Sequence, residues 1–139
     1  MQIRRMQISD TECVSEIERA IFSVPWSKQG FVDAVVRDDT IFLVAEEDDK
    51  ILGYIGMYMS MDEGEITNVA VAEDARRKGV GEALVTSVLQ ASKEQGITTV
   101  ILEVRVSNAG AIRLYSKMVL KNVGSARDFM ISRKRMLTL

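Results

Sequence analysis

The stretch that decides the fold is NVAVAEDARRKGVGEAL, residues 68–84. Residues 69–71 are apolar and partly β-branched, which is typical of a strand covered on both faces. From residue 80 onward the apolar positions recur every three or four residues, which is the period of one helix face. These positions are Val80, Leu84, Val88 and Ala91. The stretch therefore predicts a buried strand, a short polar turn, and a helix that opens at Gly79 and Gly81.

The predicted turn before this helix suits a phosphate group. A helix start leaves about four backbone N–H groups without a partner and carries a partial positive charge. Gly79 and Gly81 have no Cβ, so a ligand can approach the backbone closely there. The cations Arg76, Arg77 and Lys78 are unfavourable at a positive helix end unless an anion is bound. Close packing of strand against helix is the alternative explanation, and it accounts for the glycines but not for the cations.

The glycine spacing separates this turn from two common phosphate-binding patterns. G-x-G-x-x-G requires a third glycine where Leu84 stands, and G-x-x-x-x-G-K-[ST] is absent from the sequence. The pattern Arg76-x-x-Gly79-x-Gly81, placed after an apolar strand, resembles the pyrophosphate loop of the GNAT family of acyl-CoA-dependent N-acyltransferases. That loop has the form [QR]-x-x-G-x-[GA]. The resemblance implies that backbone amides of this loop hold the pyrophosphate of acetyl-CoA.

Composition narrows the class of protein further. The 139 residues, 47% hydrophobic and 27% charged, are typical of a single domain spanning residues 1–139. A net charge of −2 disfavours direct nucleic-acid binding. Without an apolar run of ~18 residues or an apolar signal core, we expect a cytoplasmic protein that does not enter membranes.

The residue types present also limit the chemistry. The chain has no histidine and one cysteine, Cys13, so we expect no metal site and no internal disulfide. Any acid–base catalyst must then be Glu, Asp, Tyr, Lys, Cys or water. We expect Cys13 to be a small packing residue of the first helix.

The remaining periodicities predict an α+β fold. Strands are expected at residues 2–6, 41–46, 51–61, 65–71 and 98–104, with two helices after the first strand, a last helix from Asn108, and two closing strands near 121–129 and 133–139. Strands four and five are joined through a helix and should therefore run parallel. This predicts a mixed, mostly antiparallel sheet with helices on both faces. The GNAT resemblance implies that the parallel central strands splay apart around the pantetheine arm.

Several single residues make local predictions. Ser27 can cap the second helix, and Gly96 can end the helix that follows the central strand. Gly53 and Gly56 suggest bulges in the third strand. The turn at residues 62–64 offers a glycine for positive φ.

The aromatic residues of the first two helices allow two interpretations. Phe22 and Trp26 lie in the loop between the helices, and Phe31 follows in the second helix. Hydrophobic packing between the helices explains all three. The alternative is that the loop forms one wall of a substrate groove.

Three stretches are similar to the RimI-type members of the GNAT family, which acetylate the N-terminal alanine of small-subunit ribosomal protein eighteen. They are FSVPWS at residues 22–27, the strand–loop–helix stretch, and LEVRVSN with AIRLY at residues 102–108 and 111–115. The resemblance implies that Glu103 is the proton acceptor and Tyr115 the proton donor. It also implies that acetyl-CoA contacts Val69, Ala70, Val71, Arg76, Arg77, Lys78, Gly79, Val80, Gly81, Glu82 and Asn108.

The chemistry of amine acetylation is compatible with these roles. At pH 7 an α-amine is ~14% neutral and a lysine side chain ~0.04%. The difference corresponds to about 3.5 kcal/mol of deprotonation free energy, which an enzyme acting on α-amines need not supply. Glu103, late on a strand, could take the amine proton, and the phenol of Tyr115 could protonate the departing thiolate. Backbone N–H groups of residues 69–71 could stabilise the oxyanion. Judged on the residues alone, a paired surface carboxylate and a core tyrosine remain equally good interpretations.

We therefore predict an N-terminal α-amine acetyltransferase, monomeric or homodimeric, whose partner is a protein N-terminus such as that of a ribosomal protein. After Tyr115 the chain departs from the RimI-type pattern. Residues 118–120 read MVL where Leu-Gly-Phe is usual, and residues 133–135 are basic where an acidic turn is usual. These departures keep two alternatives open, an acetyltransferase of a small-molecule amine and a coenzyme A-binding interaction module with impaired catalysis.

Overall fold

The structure, a computed structural model, describes residues 1–103 and 129–132. Its elements in chain order are β1 (Gln2–Arg5), α1 (Thr11–Ile21), α2 (Lys28–Val35), β2 (Thr40–Glu47), β3 (Lys50–Ser60), β4 (Glu63–Val71), α3 (Val80–Glu94), β5 (Thr99–Glu103) and β6 (Phe129–Ser132). The predicted order is confirmed through β5. The helix predicted from Asn108, which includes Tyr115, and the strand predicted at residues 133–139 lie outside the described residues.

The strands form one mixed sheet in the order β1-β2-β3-β4-β5-β6. Neighbours from β1 to β4 run antiparallel, and β4 and β5 run parallel, which confirms the predicted sheet. β6 also pairs in parallel with β5, from Val100↔Phe129 to Glu103↔Ser132. It lies between the two closing strands that the sequence predicts, and it shares only Phe129 with the first of them.

Helices cover both faces of the sheet, as predicted. The face under α3 has a core that includes Ile41, Ile55, Met57, Ile66 and Leu84. The face under α1 and α2 has a second core that includes Val14, Phe31, Phe42, Val44 and Tyr54. The Ser27 cap is confirmed, because the Gly30 N–H donates to Ser27 Oγ at 3.1 Å. Gly96 ends α3 with a φ of 85°.

Two bulges interrupt the antiparallel pairs, and the one beside Gly53 lies in β3 as predicted, whereas the one beside Gly56 has its extra residue in β4. The register shifts between Ala45 and Glu46 in the β2–β3 pair and between Gly56 and Met57 in the β3–β4 pair. The second shift leaves Thr67 as an extra residue of β4, because Gly56 pairs with Asn68 and Met57 with Ile66. Ile66 and Ala70 would share a face in a regular strand, yet they lie in opposite cores. The bulge therefore exchanges the two faces of β4 at Thr67.

The turn from β3 to β4 differs from the prediction. Met61 has the positive φ, 57°, whereas Gly64 lies within β4. A Cβ on Gly64 would lie 2.6 Å from Met57 Sδ, so this glycine serves close packing between neighbouring strands.

Candidate active site

The central feature of the site is the point where the described pairing of β4 with β5 ends. Their parallel pairing runs from Glu63↔Thr99 to Ile66↔Leu102, whereas β4 continues to Val71. Within the described residues, positions 67–71 of β4 have no partner in β5. The described pairing of the parallel strands thus ends beside the Thr67 bulge, and residues 104–107, which would continue β5, lie outside the described residues. The space beside residues 67–71 of β4, on the side of β5, is called the gap below.

The backbone of β4 presents amide groups to this gap. The Ala72 N–H donates to the Leu52 carbonyl on β3 at 2.8 Å. Because N–H groups alternate in direction along a strand, the Ala70 N–H also points to β3, and those of Val69 and Val71 point towards the gap. Of the three residues predicted to contact acetyl-CoA here, two can therefore offer N–H groups to a ligand lying between the strands.

The glycine loop follows directly after β4. Arg77 and Gly79 both have left-handed backbone conformations, with φ values of 67° and 75°. α3 begins at Val80. In its first turn the Ala83 N–H donates a hydrogen bond to the Gly79 carbonyl at 3.0 Å. The N–H groups of Val80 and Gly81 belong to the opening turn, where a helix offers no acceptor. These amides lie at the positive end of α3.

The surface beside these amides is open. A Cβ built on Gly79 would meet no described atom within 4 Å, and one on Gly81 would meet only Val71 Cγ2, at 3.7 Å. Close packing therefore does not explain Gly79 in the described part of the chain. The left-handed φ of Gly79 explains why a glycine occupies this position, because glycine adopts that conformation without steric cost. The open backbone is a cradle that a phosphate group can enter.

The charged residues of the loop face solvent. Arg76, Arg77 and Lys78 are exposed, and among the described residues none of them takes part in a salt bridge. Val80 is buried, so it can offer a ligand only its backbone, and Glu82 is half-buried. Three cations around an open helix start favour an anion.

A cavity of about 300 Å³ lies at the point where the described β4–β5 pairing ends. Its lining residues come from α1, the loop after it, the β4 bulge and the end of β5. They are Glu18, Phe22, Val24, Trp26, Ile66, Thr67, Asn68, Val69 and Leu102. The loop of residues 22–27 is thus one wall of a cavity, which the groove interpretation predicts. Trp26 also packs against Phe31, with ring centroids 5.3 Å apart, so the packing interpretation holds as well.

The sequence analysis missed Glu18, which is a buried acid in this cavity. Glu18 is 2% exposed, and its Oε2 accepts the Trp26 N–H at 2.8 Å while its Oε1 accepts the Tyr54 hydroxyl. Burial, and then the hydrogen bond to Glu18, raise the pKa of Tyr54 far above its usual value, so this phenol keeps its proton. A sequence signal was present, because Glu18 follows the buried Val14 by four residues and so falls on the apolar face of α1.

The remaining predicted residues are placed as follows. Glu103 is the last residue of β5, one position after Leu102 of the cavity lining, and it pairs with Ser132 of β6. Asn108 and Tyr115 lie outside the described residues. The structure thus brings residues 69–71, the glycine loop and the end of β5 to the two sides of one gap.

A second cavity, of about 280 Å³, lies between α1 and the start of the glycine loop. Cys13 and Arg76 are among its lining residues. Cys13 is exposed, so its prediction as a packing residue is wrong, and partial desolvation raises the pKa of its thiol. In the part of the chain that the structure describes, no cluster of three or more His, Cys, Asp or Glu side chains could hold a metal ion. No helix in that part is both long and apolar enough to span a membrane.

Comparisons with known proteins agree with this geometry. The family model described as "Acetyltransferase (GNAT) family" matches residues 11–119. A Bacillus subtilis (strain 168) protein, provisionally named [ribosomal protein bS18]-alanine N-acetyltransferase, is 34% identical over 91% of this chain and 85% of its own length. An N-alpha-acetyltransferase of Sulfurisphaera tokodaii is 31% identical over 92% and 84%. The crystal structure of the ribosomal-protein-S18-alanine N-acetyltransferase from Escherichia coli matches with a TM-score of 0.78 and 28% identity, over 84% of this chain and 75% of that one.

Proposed function

This chain belongs to the GNAT family of acetyltransferases and is an acetyl-CoA-dependent N-acetyltransferase, and from that premise we propose its acceptor and its catalytic residues. The acceptor is the α-amine of a protein N-terminus, in particular the N-terminal alanine of a small-subunit ribosomal protein. Glu103 takes the proton from the amine, and Tyr115 donates a proton to the leaving thiolate.

The observation that carries this proposal is that β4 continues for five residues beyond its described pairing with β5 and leads directly to the glycine loop. The glycine loop lies at the far end of β4, beyond Val71, and the 300 Å³ cavity lies where the gap starts, at Ile66 and Leu102. Between the glycine loop and the cavity, the N–H groups of Val69 and Val71 point towards the gap. An extended thioester ligand, anchored by its diphosphate at the loop, would reach the cavity through this gap.

The residues of the loop suit that ligand. We propose that the N–H groups of Gly79, Val80, Gly81 and Glu82 bind the diphosphate of acetyl-CoA, with Arg76, Arg77 and Lys78 providing positive charge around it. Asn108 adds a contact from the part of the chain that follows β5. When bound there, acetyl-CoA supplies an activated acetyl thioester. The N–H groups of Val69 and Val71 orient the acyl arm and stabilise negative charge on the carbonyl oxygen.

Proton transfer completes the proposed mechanism. The amine must lose a proton to attack the thioester carbon, and Glu103 accepts it directly or through water. As the carbon–sulfur bond breaks, the thiolate takes a proton from the Tyr115 hydroxyl, and the phenolate recovers one from the nitrogen, which loses its second proton as the amide forms. Both pKa values, that of a thiol and that of a phenol, lie within ~2 units of each other, so this second transfer needs little driving force.

The names of the relatives support an α-amine rather than a lysine as the acceptor. The chemistry agrees, because an α-amine near pH 7 is ~14% neutral and needs only a modest base. The apolar wall formed by Phe22 and Val24 suits a small, uncharged first side chain such as alanine. We further propose that residues 1–139 form one domain that acts in the cytoplasm, where ribosomal proteins are made.

The test measures acetyl-CoA consumption with a short peptide that begins with alanine and contains one lysine. Wild-type protein should acetylate the free N-terminus, and it should not act on the same peptide with a blocked N-terminus. Glu103→Gln should lower kcat at pH 7 by about 100-fold, and the defect should shrink at pH 9 because more of the amine is neutral. Glu94→Gln, an exposed residue at the end of α3, is the matched control.

Three outcomes would change the proposed base or the proposed acceptor. Equal turnover by wild type and Glu103→Gln would reject Glu103 as the base. Turnover of the blocked peptide would assign the acceptor to lysine. Turnover only with free polyamines or amino acids would favour a small-molecule amine instead of a protein N-terminus.

A further inference from the structure

We infer that Glu18 is a specificity-determining residue whose negative charge draws the ammonium form of the acceptor into the 300 Å³ cavity. This inference deepens the proposed function and rests on it. It assigns to the cavity a preference for a cationic primary amine over a neutral group of the same shape.

The position of Glu18 is the first argument. Glu18 lies in α1 and lines the cavity together with Thr67 and Asn68 of the β4 bulge. Among the described lining residues Glu18 alone carries a charge, and Phe22, Val24 and Trp26 beside it are apolar. A ligand in this cavity therefore meets one anionic group inside largely apolar walls.

The hydrogen bonds of Glu18 are the second argument. They connect α1 to the backbone of Trp26 and to Tyr54 on β3, so the carboxylate is fixed in place. Both oxygens accept, so neither of these bonds needs a proton on the Glu18 carboxyl group. A carboxylate has about four lone-pair sites, and these two bonds leave capacity for a further donor.

The third argument is that no cationic side chain of the described residues forms an ion pair with Glu18. Within residues 1–103 and 129–132 no salt bridge includes Glu18, although the residue is 2% exposed. A buried carboxylate is unfavourable unless a cation or several donors compensate it. A cationic ligand in the cavity would supply the compensation, and a neutral ligand would not.

The acceptor carries a positive charge, which none of the described lining residues carries. At pH 7 an α-amine is ~86% in the ammonium form, so most acceptor molecules arrive as cations. Glu18 binds that form, and Glu103 takes the proton afterwards. The two carboxylates then have separate roles, one in binding and one in proton transfer.

Glu18→Gln tests the charge with little change in shape. The amide oxygen can still accept the Trp26 N–H, and the amide nitrogen can donate to the Tyr54 oxygen. We expect KM for the alanine peptide to rise about 10- to 100-fold, kcat to stay within about threefold, and KM for acetyl-CoA to stay unchanged, because ground-state binding of the acceptor is lost. Glu16→Gln, an exposed glutamate on the same helix, should leave all three constants unchanged.

A second measurement separates charge from structure. In the presence of coenzyme A, calorimetry compares the alanine peptide with an analogue whose N-terminal amine is replaced by a hydroxyl. Wild type should bind the amine at least about tenfold more tightly, and Glu18→Gln should bind both alike. Tyr54→Phe keeps the charge of Glu18 and should keep the preference.

The results also separate this inference from the proposed function. If wild type acetylates no peptide N-terminus, the proposed function is wrong and the role of Glu18 falls with it. If wild type is active but does not prefer the amine peptide, or if Glu18→Gln keeps the wild-type KM and preference, only the inference on Glu18 is overturned. The wild-type comparison needs no variant, so it decides the question even if Glu18→Gln fails to fold.

Discussion

Gly79→Ala tests the diphosphate cradle, and Gly96→Ala is its matched control. The two glycines flank the same helix, α3, with φ values of 75° and 85°. A Cβ on either would meet no described atom within 4 Å, so neither substitution causes a clash there. Both force an alanine into a left-handed conformation, which costs about 1–2 kcal/mol. We expect both variants to lose that much stability, a fall in Tm of roughly 3–8 °C.

Binding should distinguish the two variants. The Cβ of Gly79→Ala occupies the open space where the diphosphate would approach the amides of Val80 and Gly81. Losing one charge-assisted hydrogen bond to a phosphate is worth about 1.5–3 kcal/mol, or a rise of roughly 10- to 100-fold in KM for acetyl-CoA. Gly96→Ala lies at the other end of α3 and should keep the wild-type KM.

The assay is initial-rate kinetics over a range of acetyl-CoA concentrations at saturating peptide, together with thermal unfolding of each variant. The reasoning is refuted if both variants are equally destabilised and both keep the wild-type KM. A similar rise in KM for both would show that loss of stability, and not the position of the new methyl group, is the cause.

Two further predictions concern stability. Gly56→Ala should lower the free energy of unfolding by about 2–3 kcal/mol, because its Cβ would lie 2.3 Å from Cε2 of Phe42. Gly30→Ala, in α2 and with its nearest contact at 3.6 Å, should raise it by about 0.5–1 kcal/mol. Urea unfolding measures both values, and similar values for the two variants would contradict the packing argument. Arg4 binds the Asp10 carboxylate at 2.8 and 3.0 Å and lowers its pKa, so Asp10 stabilises the fold above about pH 4 and loses this effect as the pH falls through the lowered pKa. Arg4→Met should therefore cost about 3 kcal/mol at pH 7 and much less in acid, and a difference in Tm that stays constant from pH 7 to pH 3 would speak against the ion pair.

The order of elements and the glycine loop could be predicted from sequence because their causes are local. A change in apolar period at Val80 is enough to end a strand and begin a helix. Gly79 and Gly96 adopt left-handed conformations at the two ends of α3, where backbone geometry alone favours glycine. The parallel direction of β4 and β5 also follows from the chain, because a helix joins them.

Other features depend on neighbours that are distant in the sequence. Gly64 has a turn-like context, but packing against Met57 places it within β4, and Met61 takes the positive φ instead. Cys13 reads as a packing residue, yet α1 turns it towards an open cavity. In both cases a short stretch of sequence does not determine which surface of its element other parts of the fold will cover.

By itself, the sequence determined that a glycine-opened, cation-rich helix start follows a central strand, because glycines, cations and apolar periodicity act within a few residues of each other. Only the tertiary structure decided where the 300 Å³ cavity lies and that Glu18 lines it. Thr67 becomes a bulge because its neighbours Ile66 and Asn68 pair with adjacent residues of β3, and Glu18 meets Tyr54 across 36 positions of the chain. Burial and charge compensation are properties of such assembled surfaces, since they depend on contacts that exist only once α1, β3 and β4 have packed together.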